Sequence, residues 1–272
     1  MSREWNPAAV TRIRLKRKVS VAVMVVDDFT GRPISDASLT VRAAQMLEPP
    51  VRKPDGYFVF LDAPTPVLDI TARAWTYHPA SIRVEPGSLP QLFPVVKLRL
   101  TPNRRYRIPT DTTCLEGRAA PGTQLRVICT NDPRPMRLLY DYTLKGPMDG
   151  RLIQLYDPSA SDLEGRQFAL IRKTEPVPEF FMVQQLAEGE EEGACVLTAP
   201  LSKGYKKAGT TILPVNTVEA DEQGDFFLPL HTPAVKVCKC RIFWESPDGS
   251  TGCQERELEP GRVTRLDLSE SE

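Results

Sequence analysis

The sequence predicts an all-β protein of tandem β-sandwiches, the second carrying a β-rich insertion, and three observations predict it. The 26 prolines outnumber the 16 glycines and fall between apolar runs instead of gathering in one tail. Proline breaks helices and is excluded from central strands, so this spread marks many short segments joined by turns. The apolar runs are themselves β-branched or alternate with polar residues at the two-residue period of a half-buried strand. Turn clusters separate them about every 8–12 residues, the spacing of a sandwich. Strands throughout and under roughly 10% helix are therefore expected.

In order, residues 19–27 (VSVAVMVVD) read as a strand, and Phe29-Thr30-Gly31-Arg32-Pro33 as a turn. Ile34 to Arg42 alternates, with Ala37, Leu39 and Val41 against Ser38, Thr40 and Arg42. Lys53-Pro54-Asp55-Gly56 makes a second turn and Tyr57 to Leu61 a third strand. Val67 to Trp75, Ser81 to Val84 and Val95 to Leu100 complete the set.

These residues carry a resemblance. Asp27-Asp28-Phe29-Thr30-Gly31-Arg32-Pro33-Ile34, then an alternating strand, then Lys53-Pro54-Asp55-Gly56-Tyr57-Phe58-Val59-Phe60, then Ala72 to Pro79, resembles the carboxypeptidase-regulatory-like (prealbumin-like) module over residues 20–100. The resemblance implies a seven-strand sandwich used as a spacer or adhesion module, without catalysis of its own.

In the second half, Cys114 to Ile128 reads as strand, Pro-Gly turn and strand. Much later come Thr217 to Leu230, Lys236 to Trp244, a hairpin turn at Ser246 to Ser250, and a last strand from Arg262 to Leu268. End to end, these pieces resemble a bacterial Ig-like repeat, interrupted by about residues 131–213. The interruption holds strand candidates at 165–172, 179–184, 195–198 and 210–215, and Pro135 to Tyr142 as a helical turn or two. The acidic run 188–193 is too charged to bury and reads as an exposed hairpin tip. The expected organisation is an arm at 1–18, a sandwich at 19–102, and a second sandwich at 103–272 with its insertion.

Bulk composition narrows the function. The 35 basic and 35 acidic residues cancel, which gives no reason to expect nucleic acid as a ligand. The basic run at 12–18 reads as a solvated arm. No apolar stretch suits a membrane span, and the N-terminus lacks the apolar core of a leader, so synthesis in the cytoplasm is expected.

Candidate chemistry is thin. Neither His78 nor His231 sits in a catalytic motif, and both read as surface or edge residues. Glu175 and Glu179 are the nearest carboxylate pair, but Pro176 and Pro178 suggest a loop there. The run 221–225 offers oxygens for calcium, yet fits a turn equally well. Cys238 and Cys240 share a strand face and with Cys253 could form part of a thiolate site, but no fourth ligand has suitable spacing. No cofactor and no metal are therefore expected, and all six cysteines are expected as thiols. Trp75, Tyr77, Phe180 and Phe181 are the candidate contact surface, with core packing as the competing role.

The resulting expectation is a non-enzymatic structural protein with protein partners or self-association. It would belong to a phage-tail-like or contractile injection particle that acts outside the cell. A carbohydrate-binding or carbohydrate-active accessory sandwich, with a glycan ligand, is the alternative.

Overall fold

The computed structural model describes residues 17–157, 162–172, 175–187, 193–231 and 235–268. Among these the helical elements are two 3-10 turns, Pro86–Ser88 and Pro147–Gly150, and the remaining regular structure is strand. The proposed hairpin tip at 188–192 and most of the N-terminal arm lie outside the described residues.

Seven strands build the first sandwich: β1 (Val19–Asp27), β2 (Thr40–Ala43), β3 (Val51–Arg52), β4 (Tyr57–Leu61), β5 (Leu68–Arg73), β6 (Ala80–Val84) and β7 (Val95–Leu100). They form two sheets, β3-β4-β1-β7 and β2-β5-β6. β1 runs antiparallel to β4 and parallel to β7. Alternation along β1 turns Val21, Val23 and Val25 inward, and Leu68, Ile70 and Ala72 meet them from the opposite sheet. Burying each larger aliphatic side chain contributes about 1.5–3 kcal/mol.

The turn after β1 is fastened by its own aspartate. Asp27 Oδ1 accepts from the amides of Phe29 (2.8 Å) and Thr30 (3.1 Å), while Oδ2 accepts from the hydroxyls of Tyr77 (3.2 Å) and Tyr106. Gly31 takes φ +70°, the left-handed region that favours glycine. The alternating run expected from Ile34 is regular strand only from Thr40. Before it, Asp36 Oδ1 captures the amide of Ser38 at 2.7 Å and makes a turn that local alternation does not reveal.

The second sandwich opens with β8 (Cys114–Arg118) and β9 (Gln124–Cys129). The chain then leaves for six strands: β10 (Arg137–Leu138), β11 (Leu152–Tyr156), β12 (Gln167–Arg172), β13 (Glu175–Leu186), β14 (Ala194–Leu197) and β15 (Thr210–Pro214). Their order is β10-β11-β14-β13-β12-β15, every neighbouring pair antiparallel. A bridge between Met136 and Ile212 joins the two ends, so the sheet curls shut around Leu138, Ile153, Phe168, Val183, Leu197 and Ile212. Closure leaves few unpaired edges, which suits an insertion with no second sheet to pack on.

Two expectations fail here. Residues 135–142 form β10 and flanking bridges, not a helical turn, because Met136 and Tyr142 pair with distant partners at Ile212 and Tyr205. Pro176 and Pro178 lie within β13 instead of a loop. They are tolerated where the β12–β13 register slips between Leu170 and Arg172, a bulge that relieves the ladder of their missing amides.

The chain returns through β16 (Asn216–Glu219), β17 (Asp225–Pro229), β18 (Cys238–Glu245), β19 (Thr251–Leu258) and β20 (Val263–Asp267). With β8 and β9 these make the sheets β17-β8-β20 and β16-β9-β18-β19 around a core of Leu115, Val127, Phe226, Ile242 and Leu258. β8 is antiparallel to β17 and parallel to β20.

Candidate functional sites at the joints and in the cysteine cluster

The turn at Asp28-Phe29 and strand β7 receive both later parts of the chain. From β7, Lys97 Nζ reaches Asp162 (2.9 Å) and Glu164 (2.7 Å). Arg99 reaches Asp162 at 2.8 Å and donates from Nε to the carbonyl of Glu164 at 2.8 Å. The Arg99 side chain is only 6% exposed and also lies 3.7 Å from the Asp28 carboxylate. Burial opposes the charged form of Asp162, but Lys97 and Arg99 outweigh it and hold the carboxyl below its usual range. For Lys97, burial is likewise outweighed by Glu164 and Asp162, and its pKa is raised.

The second sandwich joins the same turn. His231 Nε2 sits 3.0 Å from the carbonyl oxygen of Asp28, and its ring stacks on Phe29 with centroids 5.2 Å apart. Thr101 Oγ1 donates to the carbonyl of Thr217 at 3.2 Å. Both histidines, read from sequence as surface or edge residues, are half-buried: His231 at this joint, and His78 beside Asp221, Phe227 and Glu219 of the second sandwich. Burial is the main cause holding His78 and His231 below the usual histidine pKa. A second joint is aromatic: Phe180 of β13 meets Phe243 of β18 edge-on at 5.4 Å, with Arg126 over Phe180 and Arg241 over Phe243.

The four candidate contact residues separate into three roles. Trp75 is 64% exposed, with the Arg105 guanidinium 3.9 Å from its ring centroid. Its backbone is pinned by Ser38 and Asn103, so the indole stands on a rigid turn. Tyr77 is buried and serves Asp27, and Phe181 packs on Phe168 inside the insertion core. Neither offers a contact surface: Tyr77, beyond the turn after β5, points its hydroxyl at Asp27, and on β13 alternation sends Phe181 inward and Phe180 to the other face. Phe180 is taken up by the aromatic joint.

The candidate carboxylates Glu175, Glu179 and Asp221 are each engaged within the fold. Glu175 is tied to Arg172 and Lys203, and the Lys203 contact holds its pKa low, the wrong direction for a general acid. Glu179 accepts from Ser202 and from the hydroxyl of Tyr205. Asp221 Oδ1 accepts from the amides of Gln223 (3.0 Å) and Asp225 (2.9 Å), fastening a turn.

The cysteines assort differently from their spacing. Cys253 faces outward opposite Phe243, and the residue joining Cys238 and Cys240 is Cys129 at the end of β9. The sulfur separations are 2.7 Å (Cys129–Cys238), 3.4 Å (Cys129–Cys240) and 3.5 Å (Cys238–Cys240), all three residues being buried. Cys114 and Cys195 stand apart from the trio, and burial pushes each up to about 11. A buried three-sulfur cluster is the one group of soft ligands brought together among the described residues.

Fold and joints define a class: a tandem β-sandwich protein with an inserted closed sheet, tied to the first sandwich by a cluster of charged residues. No protein-family model matches the chain, and no curated sequence does. Among solved structures it is similar to the major pilin subunit of Bacillus cereus at 10% identity, over 92% of this chain and 70% of that one, with a TM-score of 0.25. So distant a likeness bears on neither site nor function. No described helix is long and apolar enough to cross a membrane.

Proposed function

We propose that this chain is a non-enzymatic structural or binding subunit of a multi-protein assembly. The observation that carries the reading is the cluster of Lys97 and Arg99 with Asp162 and Glu164, which ties the insertion to the first sandwich. Loosely linked modules need no such joint, and fixed geometry is what a building element requires. The parts are read as an arm at 1–18, a carboxypeptidase-regulatory-like sandwich at 19–102, and an Ig-like sandwich at 103–272 interrupted at 131–213. Seven strands in each sandwich support this division. The assembly is read as a phage-tail-like or contractile injection particle, made in the cytoplasm and acting outside it, with Trp75 as a contact residue.

The test is sedimentation of native lysate containing the tagged full chain. The expected result is a fast-sedimenting fraction of defined composition, diminished by Trp75→Ala with the monomer fold intact. A lone monomer with hydrolytic activity on a glycan would overturn the reading.

A further inference from the structure

We propose that Cys129, Cys238 and Cys240 form a trithiolate site for a thiophilic d10 cation, Zn2+ or Cu+. Cys129 closes β9 and Cys238 opens β18, so the cluster lies at one rim of the β16-β9-β18-β19 sheet. Cys240 is the direct ladder partner of Cys129, and Cys238, two residues earlier, points to the same face. Three side chains from two strands thus converge on a single point in the core.

The three sulfurs converge more closely than neutral thiols pack, and their ladder positions do not suit a disulfide. Even carbon atoms attract best at about 3.5–4.0 Å, and sulfur is larger, so neutral thiols at 2.7–3.5 Å are crowded. The nearest pair, Cys129 and Cys238, is the diagonal one in the ladder. Diagonal neighbours stand about 7–8 Å apart, beyond the usual reach of about 4.4–6.8 Å between the Cα atoms of a disulfide. The directly opposed pair, which a cross-strand disulfide would use, has the longer separation of 3.4 Å. A circle through the three sulfurs has a radius of about 1.9 Å, shorter than a Zn–S bond of about 2.3 Å, so one ion within reach of all three stands about 1.3 Å off their plane, and binding draws the sulfurs apart toward the roughly 3.8 Å of tetrahedral Zn–S bonds.

The backbone around the cluster is braced. The Thr130 amide donates to the carbonyl of Lys239 (2.7 Å), the Lys239 amide donates to Asn131 Oδ1 (2.9 Å), and Asn131 Nδ2 donates to the carbonyl of Val237 (2.8 Å). This clamp holds the two strand ends together before any ion arrives. A bound cation displaces the thiol protons to solvent. Among the described residues no histidine or carboxylate joins the trio, so a fourth ligand, where the ion takes one, is a small exogenous molecule.

The test uses the full chain, reduced and kept anaerobic, titrated with Zn2+ and separately with Cu+. X-ray absorption at the metal edge should show three sulfur neighbours for one bound equivalent, and binding should raise the melting temperature. A fourth, light-atom neighbour would identify the zinc form, and three sulfurs alone the copper form. Cys129→Ser and Cys240→Ser should lose the equivalent and the thermal shift, while Cys253→Ser keeps both. Absence of bound metal in the folded, reduced wild type would overturn the proposal. So would a bound ion without three sulfur neighbours, or an intact mass two daltons low under the same reducing conditions. The absorption measurement needs no variant, so a serine substitution that fails to fold leaves the decision intact.

Discussion

The two sandwiches share one strand plan and depart from it at one strand. In the first, β1 lies between β4 and β7 while β2, β5 and β6 form the facing sheet; in the second, β8 lies between β17 and β20 while β9, β18 and β19 face them. In both, the opening strand pairs parallel with the closing one. The third strand differs. β3 is two exposed residues paired with β4, whereas β16 is four residues with alternating burial paired with β9. The connection before it also differs: residues 44–50 in the first sandwich, 130–215 in the second. An insertion as large as a small domain thus entered where the framework is least committed, and the other six strands kept their places. Loop-closure entropy grows only slowly with loop length, so such a site tolerates the addition.

The largest effect should come from the matched core phenylalanines. Phe60→Ala in β4 and Phe226→Ala in β17 are each expected to cost about 3–5 kcal/mol in urea denaturation. In single-tryptophan variants, Trp75 reports on the first sandwich and Trp244 on the second. Coincident transitions are expected from the joints; separate ones would break the picture of one rigid element.

Next comes the joint itself. Arg99→Met should cost about 1.5–3 kcal/mol, the range for hydrogen bonds to charged groups, and should part the two tryptophan transitions. An unchanged, single transition would show that the aromatic joint at Phe180 and Phe243 suffices.

Acid should weaken the joints in two stages. His78 and His231 have depressed folded pKa values, so their contribution is present above about 6.5 and is lost as pH falls through the folded values. Asp162 is depressed too, so its contribution is present above about 3.9 and fades as pH falls further. Melting temperature against pH should therefore fall first below about 6.5 and again below about 4. Arg99→Met should flatten the second fall and leave the first.

The smallest effect compares two glycine turns, one in each sandwich. Gly31→Ala meets open space and carries only the left-handed backbone cost of about 1–2 kcal/mol. Gly224→Ala at φ +80° also puts its Cβ 2.3 Å from the carbonyl oxygen of Ala119, so its melting temperature should fall further. Equal shifts would show that the second turn relaxes freely.

Sequence reading found the strands whose signal is local: β1, β4, β5, β7 and β12 are long alternating or β-branched runs bounded by prolines and glycines. It missed β3, because two exposed residues carry no period. It also missed an echo between the sandwiches: Glu85-Pro86-Gly87 and Glu259-Pro260-Gly261 each precede the seventh strand. Tyr77 looked like contact surface because nothing nearby in sequence shows that Asp27, 50 residues earlier, needs its hydroxyl. Cys129 escaped because it lies 109 residues from Cys238, outside any ligand-spacing rule.

By itself, then, the sequence determined that the chain is all-β and where most turns fall. Period, proline and glycine act within a few residues, and a strand or turn answers to them wherever it ends up. Only the tertiary structure decided that the insertion closes on itself, that Lys97 and Arg99 meet Asp162, and that three cysteines share one point. Those outcomes depend on which distant strands become neighbours. Strand pairing is set by burial and register across the whole chain, which no local window contains.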